Sequence, residues 1–386
     1  METQALERPP VAACGERPPP APERPPCCVL HFRPMRGPFA ARESGLSPMR
    51  YVLLPAALFA AFALPAGATR TDPEAKAAFI AEAGTRHGLA PEEITAWLGK
   101  AQYRQGIVDL MSRPAERVLT WREYRPIFIT EARIREGRHF LLTHREALQR
   151  VEDATGVPKS YIVAILGVET SYGRITGRHR VLDALYTLGF HYPSLGNPER
   201  EARRGAFFRD ELAQSLLLAR EEGIDIPAQL GSHAGAMGWG QFMPSSYRAY
   251  AKDGDGDGRR DLFNSLPDVF ASVANYFVAH DWQPGMPVVV PAVAEAGAAY
   301  APVGMEPRRS LAELAAKGFR PASPLAQEAP ALLVTLQGAD GTEHWLGFRN
   351  FYVITRYNRS VMYALAVHQL AQALAAPEAT TAAALP

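Results

Sequence analysis

The sequence has few cysteines, and their position limits the chemistry that the chain can use. Of 386 residues only three are cysteines, Cys14, Cys27 and Cys28, and all of them precede Met49. If the chain is exported and processed near residue 69, as its N-terminal pattern indicates, the mature protein contains no thiol. Disulfide bonds, a cysteine nucleophile and thiolate metal sites are then excluded, and no cysteine follows the N-terminal apolar run to carry a lipid.

An excess of charge and several catalytic motifs are also missing. The formal net charge is +1, whereas a protein that binds nucleic acid normally has a basic excess. The sequence contains no G-x-S-x-G, no H-E-x-x-H and no P-loop, and its ten histidines are scattered without metal-ligand spacing. We therefore expect no nucleic-acid partner. The absence of these motifs leaves nucleophilic hydrolysis without support from the sequence.

The first 68 residues predict export. Residues 1–48 are rich in proline and arginine and have no periodicity, so we expect them to be disordered or to lie upstream of the true start at Met49. Met49-Arg50 then precedes an apolar run, Tyr51–Leu64, and an A-x-A site, which is the order of a signal peptide at 49–68. An anchor helix that stays attached is the alternative. The pattern favours a soluble periplasmic protein.

The rest of the chain reads mainly as helices, with a change of character after Gly285. Pro287–Val293 and Ala331–Leu336 are β-branched or apolar runs, and Gly338-Ala339-Asp340-Gly341 predicts a hairpin turn after the second run. Ala132–Thr155 is expected to form one long helix. The predicted fold is mainly α (α+β), with a helical domain at 69–155, a core at 156–283, a small β-containing insertion at 284–348, the end of the core at 349–375 and a disordered tail at 376–386.

One glutamate falls on an apolar helix face. Apolar residues three, four and seven positions before Glu169 place its carboxyl on their side of a helix that Gly173 can end. Burial there raises the pKa of a carboxyl, as a general acid near neutral pH requires. The alternative is a structural glutamate paired with Arg174 or Arg178.

Glycoside cleavage usually employs two carboxylates. The next acid after Glu169 is Asp183, and Asp210 and Glu211 lie on what reads as a separate helix, so none is an evident partner. A mechanism with a single acid, in which the substrate supplies the nucleophile, would explain this pattern.

A glycine-rich segment, Gly231–Tyr247, interrupts the helices. Its four glycines allow tight turns and a close approach of backbone to a ligand. Trp239 supplies apolar surface, and Ser232 and Gln241 supply hydrogen-bonding groups. Because sugars have apolar faces and hydroxyl rims, this mixture predicts a sugar-binding loop. Trp121–Thr130 is aromatic and basic as well, and we expect a packed connector there, with a cleft lining as the alternative.

An acidic segment follows, and its spacing fits a calcium-binding EF-hand loop. The register assigns positions 1, 3, 5, 7 and 9, in order, to Asp253, Asp255, Asp257, the carbonyl of Arg259 and Asp261. Position 12 is normally glutamate but is Asn264 here, so either Asn264 or, in a longer loop, Asp268 closes the site. We expect a structural Ca²⁺ in loop 253–268 and no cofactor for catalysis; an acidic, flexible turn is the alternative.

Three segments together resemble the lytic murein transglycosylase B family. They are ILGVETSYGR (165–174), GSHAGAMGWGQFMPSS (231–246) and FYVITRYNRS (351–360), in the order of the family, and the resemblance covers about residues 72–375. It implies a lysozyme-like catalytic core with a helical domain and a small β-domain. It also implies non-hydrolytic cleavage of the MurNAc–GlcNAc β-1,4 bond of peptidoglycan, which leaves 1,6-anhydromuramoyl ends.

The resemblance further implies a role for particular residues. Glu169 would be the sole acid and base, with the N-acetyl group of the substrate stabilising the intermediate. The positions that match substrate-binding residues of the family, besides the aromatic Trp239 of the loop, are Ser232, Gln241, Tyr276, Tyr357, Asn358 and Tyr363. The family also has an EF-hand-like loop where 253–268 lies. The implied partners are peptidoglycan glycan strands, with cell-wall synthesis or division proteins as further candidates, and we expect a monomer.

Two other functions stay open at this point. A hydrolytic muramidase would need a second carboxylate about 5–9 Å from Glu169. A catalytically silent scaffold would bind peptidoglycan and need no acid at all.

Overall fold

The computed structural model describes residues 72–112 and 119–377. The predicted segments at 1–48 and 49–68 and nearly all of the predicted tail at 376–386 therefore lie outside the described residues. No helix of the described ranges is both long enough and apolar enough to cross a membrane.

Short helices make up the N-terminal part of the fold. They are α1 (Asp72–His87), α2 (Pro91–Gly99), α3 (Gln105–Ser112), α4 (Trp121–Phe128), α5 (Glu131–Thr143) and α6 (Arg145–Thr155). The prediction of one long helix over 132–155 is wrong. The chain leaves helical geometry at His144, where ψ is 22° and α5 gives way to α6.

The central element of the core is α7 (Lys159–Thr170), which carries Glu169. Residues 161–167 are all buried, so the helix is apolar around its circumference, as is typical of a helix with neighbours on all sides. A short strand, β1 (His179–Arg180), follows, and then α8 (Val181–Phe190) and α9 (Pro198–Glu222). Strand β2 (Leu230–Gly231) pairs antiparallel with β1 and leads into the glycine-rich segment. Helices α10 (Pro244–Tyr250) and α11 (Leu266–Ala279) come next, on either side of the acidic segment.

A four-stranded antiparallel sheet forms the predicted β-containing unit. Its elements are β3 (Val289–Ala294), α12 (Leu311–Ala315), β4 (Phe319–Pro321), β5 (Leu332–Gln337) and β6 (Thr342–Gly347), with strand order β4-β3-β6-β5. The predicted hairpin is confirmed, since Gln337 pairs with Thr342 across the turn. The sheet has a small core of its own, centred on Leu314, Phe319 and Leu346, while Leu332 and Val334 join the main core.

Two final helices return the chain to the core. These are α13 (Arg349–Tyr357) and α14 (Val361–Ala375), and α14 packs along α7 and α5. This return is what brings the end of the chain to Glu169. The mainly α (α+β) fold with a small β-containing insertion is confirmed.

Candidate active site

Glu169 lies in the last turn of α7 and is half-buried. The hydroxyl of Tyr363 donates a hydrogen bond of 2.6 Å to Oε1 of Glu169. Burial raises the pKa of Glu169 from 4.5 to about 7, and the hydrogen bond from Tyr363 opposes part of that rise. A carboxyl with this pKa is present in both protonation states near neutral pH, so it can donate a proton and accept one.

Tyr363 is placed by the start of α14. The side chain of Ser360 caps this helix and accepts a hydrogen bond of 3.2 Å from the backbone N–H of Tyr363. Burial, followed by the charge of Glu169, raises the pKa of the Tyr363 hydroxyl well above its usual value. The hydroxyl therefore stays protonated and acts as a donor to the carboxylate.

A second tyrosine at the site was missed by sequence reasoning. Tyr124 on α4 is 8% exposed, and its pKa is raised by burial and by the negative charge of Glu169. It comes from the aromatic and basic segment that we expected to be a packed connector. The segment forms helix α4 although Pro126 lies inside it. The only sequence signal for a role of Tyr124 at the site was the aromatic character of the segment, which also suggested a cleft lining.

The chain turns sharply after Glu169. Helix α7 ends at Thr170, and Ser171, Tyr172 and Gly173 all have positive φ, at 49°, 59° and 82°. The helix thus ends three residues before the predicted Gly173. Glycine is needed at 173 for another reason, because a Cβ there would lie 2.4 Å from the ring of Trp239.

Glu169 has no cationic partner among the residues described. Arg174, one of the two predicted partners, instead pairs with Glu136 at 2.8 Å. Arg178, the other, forms no ion pair within the described ranges and is exposed. The structural pairing that the sequence left open is therefore wrong for both arginines.

The other acids that the sequence offered are engaged elsewhere. Asp183 is buried and pairs with Arg104 and Arg180 at 2.8 and 2.9 Å. Glu211 accepts hydrogen bonds from the backbone N–H and the hydroxyl of Ser245, and Asp210 pairs with an arginine of α1. Within the described part of the chain, no second carboxylate perturbs the pKa of Glu169.

The glycine-rich loop is joined to the end of α7. Thr170 donates a hydrogen bond of 3.0 Å to the carbonyl of Trp239, and the indole N–H of Trp239 donates to the carbonyl of Phe263 at 3.1 Å. Gln241 adopts a φ of 52°, and its amide nitrogen donates to the carbonyls of Thr176 and Gly238 at 3.0 Å each. Ser232 accepts hydrogen bonds from two backbone N–H groups, those of residues 234 and 236.

Three further predicted residues lie in the interior beside this loop. Tyr357 donates to the carbonyl of Gly240 at 2.7 Å, and Tyr276 donates to the carbonyl of Arg356 at 2.7 Å. The rings of Tyr276 and Tyr357 are 4.8 Å apart, and Asn358 is 5% exposed. The structure thus brings Tyr357 and Tyr363 to the site, whereas Tyr276 lies behind Tyr357 and supports it.

The acidic segment brings three of its predicted carboxylates together. One oxygen each from Asp253, Asp255 and Asp268 lies within 4.8 Å of the others. Asp268 is buried, and its two oxygens accept the backbone N–H groups of Gly254 and Asp261 at 2.7 and 2.6 Å. Because Ca²⁺ prefers carboxylate oxygens, this group has the right donors for it.

The side chains of two other predicted ligands, Asp257 and Asp261, are not part of that group. The carboxylate of Asp261 accepts hydrogen bonds from Phe263 and Asn264, including one of 2.9 Å from the Asn264 side chain. Asp257 accepts the N–H of Arg259 at 2.7 Å. Of the two candidates for closing the loop, the structure places Asp268, and not Asn264, opposite Asp253 and Asp255.

Comparison with known proteins gives a consistent picture. A family model described as "Transglycosylase SLT domain" matches residues 71–372. The chain is similar to membrane-bound lytic murein transglycosylase B of Escherichia coli (strain K12), with 41% identity over 306 residues that cover 77% of this chain and 81% of the relative.

Solved structures are similar as well. The soluble lytic transglycosylase SltB1 from Pseudomonas aeruginosa is 47% identical, with a TM-score of 0.70 over 78% of this chain and 98% of that one. The Escherichia coli lytic transglycosylase Slt35 in complex with calcium is 41% identical, with a TM-score of 0.68 over 78% and 92%. SltB3 from Pseudomonas aeruginosa in complex with NAG-NAM-pentapeptide is 27% identical, with a TM-score of 0.65 over 79% and 80%.

Proposed function

Because the chain belongs to the family of SLT-domain transglycosylases and is a lysozyme-like lytic murein transglycosylase that cleaves peptidoglycan without hydrolysis, we propose that Glu169 alone serves as its catalytic acid and base. The observation that carries this proposal is the carboxyl of Glu169, whose pKa is about 7 and which has no second carboxylate beside it within the described residues.

In the first step, protonated Glu169 gives its proton to the glycosidic oxygen as the bond from that oxygen to C1 of MurNAc breaks. The substrate's N-acetyl group stabilises the positive charge that develops at C1. In the second step, the carboxylate takes the proton of the C6 hydroxyl while O6 forms a bond to C1. One proton has then moved from O6 to the leaving oxygen, no water has been added, and the product carries a 1,6-anhydro ring.

Tyr363 assists the first step from a fixed position. Its hydrogen bond of 2.6 Å stabilises the carboxylate that exists between the two proton transfers. Without this donor, burial alone would favour the protonated form, which would make Glu169 a weaker acid and would hinder the first proton transfer. Tyr363 is thus proposed to balance the two states of Glu169.

We propose that the sugar lies on the glycine-rich loop, against Trp239 and close to Ser232 and Gln241, with Tyr357 and Asn358 supporting that loop. The substrate is a glycan strand that carries peptides, as in the complex of SltB3 with NAG-NAM-pentapeptide.

For the acidic segment, Asp253, Asp255 and Asp268 are the residues proposed to hold a structural Ca²⁺, in an EF-hand-like loop closed by Asp268. Backbone carbonyls of the same segment support Trp239, since Leu262 and Phe263 accept its backbone and indole N–H groups at 3.1 Å. A cation there would stabilise the platform under the sugar and take no part in the chemistry.

Export to the periplasm through a signal peptide at 49–68 is part of the proposal. It predicts a mature N-terminus near Thr69. Sequencing the N-terminus of the protein isolated from cell fractions tests it, and a full-length chain found in the cytoplasm would contradict it.

The decisive experiment compares wild type with Glu169→Gln on purified cell-wall sacculi, with product masses measured. We expect 1,6-anhydro ends from wild type and almost none from the variant. Glu146→Gln, which changes an exposed glutamate on α6, serves as the matched control and should cleave as wild type does. Reducing ends, heavier by one water, would indicate a hydrolytic muramidase, and sacculi left intact by wild type would indicate a scaffold.

A further inference from the structure

An arginine-lined depression of about 510 Å³ lies apart from Glu169. One wall is residues 103–107, at the start of α3. The other wall is Arg178, His179 and Arg180, which include strand β1, with Asp183 of α8 at its base. The depression is called the arginine pocket below.

The arginine pocket has more positive charge than its own carboxylate neutralises. Arg180 pairs with Asp183 at 2.9 Å and also donates to the carbonyls of Pro227 and Lys100, so each of its three side-chain nitrogens already donates one hydrogen bond. Arg104 reaches Asp183 through Nε at 2.8 Å, and its two terminal nitrogens have no acceptor among the residues described. Three arginines and a single carboxylate thus line the pocket.

Arg178 is the least committed of these three cations. It is exposed and forms no hydrogen bond or ion pair with the described part of the protein. The neighbouring His179 adds no charge at neutral pH, because burial and the charge of Arg178 both lower its pKa. The pocket therefore presents one whole guanidinium and part of a second one to an incoming anion.

The rim that carries Arg178 is packed directly on the proposed sugar loop. A Cβ on Gly177 would lie 2.0 Å from the carbonyl oxygen of Gly231 and 2.6 Å from the backbone nitrogen of Ser232. Strand β1 pairs with β2 at this point, and the side chain of Gln241 donates to the carbonyl of Thr176. A glycan strand seated on the loop would therefore have the arginine pocket beside it.

Building on the proposed function, we propose that Arg178 and Arg104 bind a carboxylate of the peptide that the bound glycan strand carries. In a peptide-bearing strand the lactyl carboxyl of each MurNAc is held in an amide bond, so the negative charge that suits this pocket is on the peptide, which ends in a carboxylate. Guanidinium groups suit such a ligand because their planar N–H groups match the two oxygens of a carboxylate. The pocket would then favour strands with free peptide carboxylates over strands whose peptide carboxylates are blocked as amides.

The test measures kcat/KM on peptide-bearing glycan strands and on the same strands after their peptide carboxylates have been converted to primary amides. For Arg178→Ala, we expect the preference for strands with free peptide carboxylates to fall about fivefold, mainly through KM, as for a partly exposed charge-assisted contact. Arg178→Lys should retain most of the preference, and added salt should reduce the preference of wild type. Arg150→Ala, at another exposed arginine, should behave as wild type does.

Several results would overturn the proposal. One is an unchanged preference in Arg178→Ala with an unchanged melting temperature. Another is an equal loss on both kinds of strand. Inhibition of wild type by inorganic phosphate as strong as that by free peptide would assign the pocket to simple anions instead. Anhydro ends should form from both substrates in every variant, and their absence would count against the proposed function, not the pocket.

Discussion

Removal of the Tyr363 hydroxyl should move the pH dependence of the enzyme toward higher pH. Glu169 must be protonated to begin the reaction, so kcat/KM of wild type should fall as pH rises through about 7. The hydrogen bond of 2.6 Å from Tyr363 favours the carboxylate and therefore lowers this pKa. In Tyr363→Phe the ring remains but the donor is lost, so the protonated form persists to higher pH.

The size of the effect follows from the strength of that contact. A hydrogen bond to a charged group contributes about 1.5–3 kcal/mol. Since Glu169 is only half-buried, we take the lower end, which corresponds to about one pKa unit. The basic limb, which is the fall of kcat/KM at high pH, should therefore move its midpoint from about pH 7 to about pH 8. The maximal rate should also be lower, because the carboxylate formed between the steps has lost its donor.

The assay is the rate of anhydro-product formation from glycan strands, followed by chromatography between pH 5 and pH 9. Tyr161→Phe is the matched control. Tyr161, on α7, is buried as Tyr363 is, but its hydroxyl contacts His368 at 2.7 Å, away from Glu169. Its basic limb should stay in place. A limb that is unmoved or lowered in Tyr363→Phe would refute the idea that this hydroxyl tunes Glu169.

Two further predictions concern stability. The folded-state pKa of Glu169 is raised from 4.5 to about 7, so its contribution to stability is present below pH 4.5 and is lost as pH rises through 7. At pH 8, Glu169→Gln should therefore be more stable than wild type by at most about 3 kcal/mol. Denaturant unfolding at pH 8 and pH 5 checks this, and a gap that does not shrink at pH 5 would contradict it. Calcium should raise the melting temperature of wild type but not of Asp268→Asn, while Asp257→Asn should still respond; equal responses in all three would count against the calcium site.

Local patterns predicted the helix of Glu169 and the β-hairpin, because both depend on neighbours in sequence. The apolar residues before Glu169 fix its side of the helix, and the glycines at 338 and 341 frame the turn between β5 and β6. The break at His144 was missed because the residues on both sides of it have helical spacing, so periodicity alone joins them into one helix.

The contacts that tune the site depend on the tertiary fold and could not be predicted from spacing. Tyr363 lies 194 positions after Glu169, and only the family resemblance pointed to it. Tyr124 comes from the opposite end of the chain, where its aromatic neighbours suggested mere packing. The choice between Asn264 and Asp268 likewise required the folded loop, in which the Asn264 side chain turns to Asp261.

A single acid that must also act as a base places opposite demands on its surroundings. Burial without a donor would hold Glu169 protonated, and a nearby arginine would hold it ionised, so either extreme would block one of the two proton transfers. The site instead combines burial with one neutral donor, Tyr363, and the two predicted arginines lie elsewhere: Arg174 pairs with Glu136, and Arg178 faces the arginine pocket. On this reasoning the absence of a cation next to Glu169 in the described residues is as necessary to the mechanism as the absence of a second carboxylate.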